Sequence, residues 1–368
     1  MRSSKDFDRD SIRAFNQKKH RTLFFITLYY GNDNVLLSHT EYWVAEFAKH
    51  FDEVRVFAVH EGTHEDPPKN VLVRKLGGGS FKARAQALTI LIITSLKIFF
   101  RKGEPVVFYH MFPSPAVILG PILKLKKITQ ILWYSHSATS LLLKIATRWV
   151  DYVVTPTTHS FPIPSKKVRV VGHGIPVLFD SQRQMSILAH RKDDILYVGR
   201  ISPIKNIEII IEAIDRSKTS SRKLLLVGPV LSMEYKEKIE SLSASKGIEL
   251  AFLDSVPFIS VGDVMSNHSM FFSGNPKTLD KATVLAAICG CFVLTAEKEV
   301  AQAIGMAELW KSLGFLSLPS IDQQIDTLNS LEAWKIVELR ENLKRYSYNQ
   351  NRLDETVKRI IQLTNKSY

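Results

Sequence analysis

The chain is 368 residues long, 45% hydrophobic and carries a net charge of +13, which suits two moderate domains with a core each. Its most apolar run, Leu88 to Phe100, is 13 residues long and contains Lys97, too short for the roughly 20 residues that span a bilayer. The two cysteines, Cys289 and Cys291, share one apolar segment without His partners, which excludes a disulfide framework or zinc spacing and fits buried thiols in a reduced, cytoplasmic compartment.

In chain order, residues 1–20 are polar and mixed in charge, without a secretory pattern, and read as a flexible tail. Arg21 to Tyr30 is a predicted buried strand, followed by a polar loop and a helix from Val35 to Phe51. Further strands are expected at Glu53 to Val59 and Val71 to Leu76. Gly77, Gly78 and Gly79 then break the pattern before a helix from Phe81 to Lys102. Pro105 to Met111, Gln130 to Ser135, Tyr152 to Pro156 and Val168 to Gly172 read as strands. Pro113 to Ile128 and Leu141 to Val150 read as helices. Strands alternating with helices imply parallel pairing through crossover connections.

A weakly patterned linker, 179–193, separates a first domain, 21–178, from a second, 194–345, in which the alternation restarts. Strands are expected at Ile195 to Val198, Lys223 to Val227, Glu249 to Leu253, Met270 to Ser273 and Cys291 to Leu294. The last stretch, 346–368, is a helix expected to cross back to the first domain. The fold class is α/β, two doubly wound Rossmann-like domains facing a cleft.

The stretch from Asp194 to Glu212, DILYVGRISPIKNIEIIIE, is the most informative. An apolar strand ends at Gly199, Pro203 breaks the loop, and Ile207, Ile210, Ile211 and Ile214 recur at helical spacing. Arg200 and Lys205 therefore sit at a strand's carboxyl end beside a helix N-terminus, where open α/β sheets bind ligands and phosphate is favoured. Two fixed cations there suit a departing diphosphate; both could equally be solvated surface charges.

This stretch resembles the signature of family 4 glycosyltransferases, retaining nucleotide-sugar enzymes of GT-B fold, in which Gly-Arg and a Lys five residues later begin the donor site. LLLVGP, ending in Gly228 and Pro229, resembles the element approaching the nucleotide base. SGNPKTLDKATVLAAICGCFVLT, Ser273 to Thr295, resembles the loop, helix and strand that grip sugar, diphosphate and ribose. The resemblance implies Gly199, Gly228, Pro229, Lys281 and Thr283 as donor-binding residues, and Arg200, Lys205, Asp280 and His136 as the reaction centre. The family's two glutamates are missing: the first appears as the Asp280-Lys281 variant and the second as Leu285, which cannot hold a ribose diol. The glycine pair of the first loop is also absent from Ser38, His39, Thr40 and Glu41, leaving His39 and Glu41 as candidates for acceptor contact. His136, after a predicted strand, falls where the family places a histidine facing the sugar, although a His satisfied in a strand-end turn fits as well. His110 reads as structural and His173 as lying near the hinge.

The only Asp-x-Asp, Asp8 to Asp10, lies in the tail, so no metal site and no cofactor beyond the donor substrate is expected. Between Pro67 and Val150 stand thirteen Lys or Arg against a single acid, Glu104. Interleaved with Leu, Ile and Phe, these cations suit an anionic membrane surface better than a solvated face. Nucleic acid is not an expected partner, since no recognition module or aromatic stacking set accompanies the charge. The expectation is a retaining, metal-independent hexosyltransferase, peripheral on the inner face of the cell membrane. It would move sugar from a nucleotide diphosphate-sugar to a lipid-linked or cell-surface glycan in polysaccharide biosynthesis. The alternative is a glycosyltransferase-like partner subunit with weakened turnover.

Overall fold

A computed structural model describes residues 20–31, 39–77, 81–176, 192–275 and 278–365. The expected tail up to residue 19, Asp8 to Asp10, Val35 to Leu37, Ser38, Gly78 and Gly79, and the linker up to residue 191 lie outside the described residues. Those up to Tyr134, with Ser140–Val153 and the chain end from Leu363, form one compact unit; Ser135–Thr139 and Val154–Gln362 form the other.

The first sheet holds β1 (Arg21–Tyr30), β2 (Glu53–Glu61), β3 (Val71–Lys75), β4 (Glu104–His110), β5 (Thr129–Trp133), β6 (Tyr152–Thr155) and β7 (Val168–Val170). Its strand order is β3-β2-β1-β4-β5-β6-β7, and the pairs β2–β3, β1–β2, β1–β4 and β4–β5 are parallel. The helices α1 (Thr40–Ala48), α2 (Phe81–Phe100), α3 (Pro113–Leu125) and α4 (Leu141–Trp149) fall between these strands in the chain, as parallel pairing requires. β1 is apolar on both faces because a parallel strand is covered on both sides. Trp43 and Phe47 of α1 anchor the core: Trp43 lies 4.8 Å from the Trp133 ring, and Phe47 lies 5.0 Å from Phe108.

The second sheet is built from β8 (Lys192–Val198), β9 (Lys223–Val227), β10 (Glu249–Leu253), β11 (His268–Phe272) and β12 (Phe292–Leu294), in the order β10-β9-β8-β11-β12, all parallel. β8 starts at Lys192, inside the expected linker. The helices are α5 (Ile207–Arg216), α6 (Met233–Ser245), α7 (Phe258–Ser266), α8 (Lys281–Ile288), α9 (Lys298–Ile304), α10 (Met306–Ser312), α11 (Ile321–Ser330), α12 (Ala333–Asn351) and α13 (Leu353–Thr364). Ile207, Ile210, Ile211 and Ile214 of α5 are fully buried while Ile209 faces outward, so the helical apolar spacing becomes its core face. Cys289 and Cys291 are free and buried. The final turn of α13 belongs to the first unit, where Arg21 donates to Thr364 Oγ1 at 2.6 Å.

In the second sheet the strand order reverses between β8 and β11, which pair directly although β9 follows β8 in the chain. Such a switch point opens a crevice at the carboxyl ends of the two strands. The loops leaving β8 and β11 therefore frame the candidate site.

Candidate functional site

Three loops meet at the carboxyl edge of the second sheet, and glycines set how closely they approach. Gly199 follows β8 with φ +154°, and its N–H donates to Val227 O at 2.9 Å. Gly228, with φ +136°, lies so near that an added Cβ would come within 2.2 Å of Gly199 O. Gly274, in the loop after β11, is tighter: its Cβ would stand 1.9 Å from Lys205 O. Ile201 N–H donates to Pro229 O at 2.9 Å, stitching the first two loops, and Asn206 Nδ2 donates to Gly274 O at 3.4 Å, stitching the first and third. Asn206 itself stands in the left-handed region, φ +49°, where its short side chain tolerates the turn into α5.

This backbone frame presents the cations differently. Arg200 is exposed, and its carbonyl accepts a hydrogen bond from the buried Tyr197 hydroxyl at 2.9 Å. Lys205 is 8% exposed. Its ammonium donates to Asn275 Oδ1 at 2.5 Å and lies 3.6 Å from Asp280 Oδ2. Asp280 is the N-cap of α8 and accepts from Thr283 N at 2.8 Å, the role Asp favours at a helix start. Thr283 is fully buried, and its hydroxyl donates to Ser273 Oγ at 2.8 Å, tying α8 to the end of β11. Lys281 opens the helix, partly exposed along its length but with its ammonium enclosed. Burial pushes that ammonium down to about 7, against the opposing pull of Asp280. His173 is buried against this group, and burial, then the Lys281 charge, holds its imidazole down to about 4. Burial, then the Asp280 charge, raises the Tyr197 hydroxyl well above its ordinary range.

The structure thus gathers Gly199, Arg200, Lys205, Gly228, Pro229, Asp280, Lys281 and Thr283 on one sheet edge. His136 is exposed in the loop after β5, where its N–H donates to Ser160 O at 2.9 Å and its Nδ1 accepts from Ala138 N at 2.8 Å. These bonds hold it within its own turn and its neighbour, with none to the Lys205 cluster. His39 and Glu41 are buried at the start of α1, and His110 packs among Phe25, Trp43 and His39, with ring centroids 5.5, 5.6 and 5.7 Å away. Leu285 is 3% exposed and belongs to the core of the second unit. Sequence reasoning missed Asn275. Its signal was a polar residue before proline, in the loop following a strand at the ligand-binding edge.

Residues 179–350 match the family model described as Glycosyl transferases group 1. Among solved structures, Anabaena HepE in complex with UDP superposes with a TM-score of 0.67 at 15% identity, over 93% of this chain and 99% of that one. WaaG, a glycosyltransferase involved in lipopolysaccharide biosynthesis, gives 0.57 at 16% identity, over 94% and 100%. The lipopolysaccharide outer core galactosyltransferase WaaB gives 0.59 at 14%, over 93% and 99%. The fold is GT-B. The region that resembles this family contains every residue of the Lys205 cluster. No curated protein matches the chain in sequence.

Proposed function

We propose that the chain is a retaining, metal-independent glycosyltransferase of the family 4 type, moving a hexosyl-type sugar from a nucleotide diphosphate-sugar to a lipid-linked or cell-surface glycan. The observation that carries this reading is the Lys205 ammonium held at the sheet's switch point, one loop turn from Arg200. An acceptor hydroxyl attacks the anomeric carbon on the face from which the diphosphate leaves. The carbon–phosphate oxygen bond breaks as the new glycosidic bond forms, and a leaving phosphate oxygen takes the hydroxyl proton. Arg200 and Lys205 stabilise the charge developing on the diphosphate without a metal. Lys281 stands on the donor side of α8, Thr283 braces that helix start against Ser273, Gly228 and Pro229 leave room for the base, and Asp280 and His136 meet the sugar.

The acceptor's place at an anionic membrane surface, on the inner face of the cell membrane, is supported by the outer face of α2. Leu88, Ile92, Ile93, Leu96 and Phe100 are all more than 40% exposed, beside the exposed Lys97 and Lys102. Among the described residues no helix is long and apolar enough to cross a membrane. A face mixing bulky aliphatics with cations suits anionic headgroups.

The test is titration calorimetry with UDP, GDP and ADP, followed by release of nucleoside diphosphate from the matching sugar donors with EDTA present. Arg200→Ala is expected to lower turnover at least tenfold; unchanged turnover would remove the central assignment. A second reading, a partner subunit with weakened turnover, is favoured by the burial of Leu285, which leaves no carboxylate for the ribose at that position. Nucleoside diphosphate binding without any donor turnover would support it.

A further inference from the structure

The Lys205 ammonium presents a physical problem whose solution was not visible in the motif. A nearly buried cation is costly unless it is hydrogen-bonded and paired, yet a lysine neutralised by a close carboxylate offers little field to an incoming anion. Here the nearer partner is a neutral amide, Asn275 Oδ1 at 2.5 Å, and the carboxylate of Asp280 stands further off at 3.6 Å. The carboxylate's other oxygen is occupied by Thr283 N at the start of α8, so part of its charge is spent on the helix dipole. Asn275 is itself oriented: its Nδ2 donates to Thr278 Oγ1 at 3.2 Å, which turns the carbonyl end toward the lysine. Its neighbour Gly274 lies against the Lys205 carbonyl, fixing the distance between the two loops.

We propose that Asn275 is a positioning residue for the donor site, holding Lys205 through an uncharged hydrogen bond so that its positive charge remains available to a diphosphate. The proposal rests on the reading that Lys205 meets the donor's diphosphate. It makes Asn275 a determinant of affinity for the phosphate part of the ligand and of nothing beyond it.

Asn275→Asp provides a sign test, because it keeps the size and the acceptor while adding a charge. If Asn275 only placed the lysine, Asp would serve as well as Asn, and Asn275→Ala would be the worse variant. If neutrality is the point, Asp is worse than Ala. Titration calorimetry with UDP, and with inorganic pyrophosphate as a base-free probe, is expected to give affinities in the order wild type, Asn275→Ala, Asn275→Asp. The last should be at least tenfold below wild type for both ligands. Thermal unfolding without ligand should show Asn275→Asp no less stable than Asn275→Ala, since the new carboxylate pairs with the buried ammonium. An Asp variant that binds UDP as tightly as the Ala variant, or more tightly, overturns the proposal. Lys205→Met separates this from failure of the underlying reading. If wild type and Lys205→Met bind UDP equally, Lys205 is not a phosphate ligand and both fall. If Lys205→Met binds weakly while Asn275→Asp binds like wild type, only the role of Asn275 falls. No binding of UDP, GDP, ADP or pyrophosphate to the wild type overturns both.

Discussion

Gly274 is the most exacting place to perturb the candidate site without touching any group that would meet a ligand. A methyl group there would stand 1.9 Å from Lys205 O and 2.8 Å from Phe272 Cε1, against an ordinary contact of 3.4 Å or more. Gly274→Ala must therefore push the β8 and β11 loops apart by about 1.5 Å, since repulsion rises steeply inside van der Waals contact. That shift is enough to carry the Lys205–Asn275 contact from 2.5 Å to beyond the range of a hydrogen bond. Overpacking of this kind costs about 1–3 kcal/mol of stability, and a loss of about 1.4 kcal/mol in donor binding is a tenfold fall in affinity. Thermal unfolding with and without UDP, together with calorimetric affinity, reads both effects. Gly247→Ala is the control: nothing lies within 4 Å of its Cβ and its φ is +63°, so it should lose stability through backbone strain while keeping donor affinity. Wild-type UDP affinity in Gly274→Ala would refute the idea that loop spacing sets the lysine.

His173, held down to about 4 against an ordinary value of 6.5, gives a pH signature. Between those values the unfolded chain takes up a proton that the folded protein refuses, so stability falls as pH drops from 6.5 to 4, by up to about 3 kcal/mol. Chemical unfolding at pH 7 and 4.5 should show a shallower acid loss for His173→Gln, and an identical loss would refute the assignment. Lys281, pushed down to about 7, is charged below that pH and neutral above it, so UDP affinity should weaken from pH 6 to 8 more in wild type than in Lys281→Met. On the outer face of α2, serine at Ile92 and Leu96, 41% and 46% exposed, should leave the unfolding temperature unchanged. The same pair of substitutions should reduce flotation with anionic vesicles several-fold. Because Arg200 is exposed and Lys205 buried, raising salt from 0.05 to about 0.5 M should erode the contribution of Arg200 far more than that of Lys205, as measured by UDP affinity of the two alanine variants.

The strands were legible wherever an apolar run is closed by polar or glycine residues. β1, β9 and β10 begin and end where the sequence reading puts them: β1 and β9 as apolar interior strands, and β10, an edge strand with no buried residue, through its short apolar run. Strand order was not legible, since which strands become neighbours is decided by crossovers that leave no local trace. The reversal between β8 and β11, which frames the site, was therefore invisible. Within the site, Arg200 and Lys205 stood out because charge at the end of an apolar strand is conspicuous. Asn275 did not, because a polar loop residue looks the same whether it faces water or a buried ammonium. Thr283, expected at the ligand, has its hydroxyl committed to Ser273, and Leu285, a gap in the motif, is filled core. Both sit on α8, whose side chains from Thr283 to Ile288 are buried, and in such a helix motif position alone does not say which residues face the ligand.

What the geometry adds to the motif is rigidity. Backbones brought within van der Waals contact at Gly199 and Gly228, and again at Gly274 and Lys205, leave the loops no slack. The hydrogen bond to Asn275 and the ion pair with Asp280 then fix the ammonium on that frame. A cation held in place before its anion arrives needs no rearrangement as negative charge develops, and it is this fixed orientation that makes an electrostatic contact effective in catalysis. A flexible surface lysine must give up about 2 kcal/mol of rotamer freedom to reach the same position, which Lys205 has already lost on folding. The glycines are therefore part of the chemistry: they allow the buried lysine, and the neutral amide beside it allows the lysine to remain a charge.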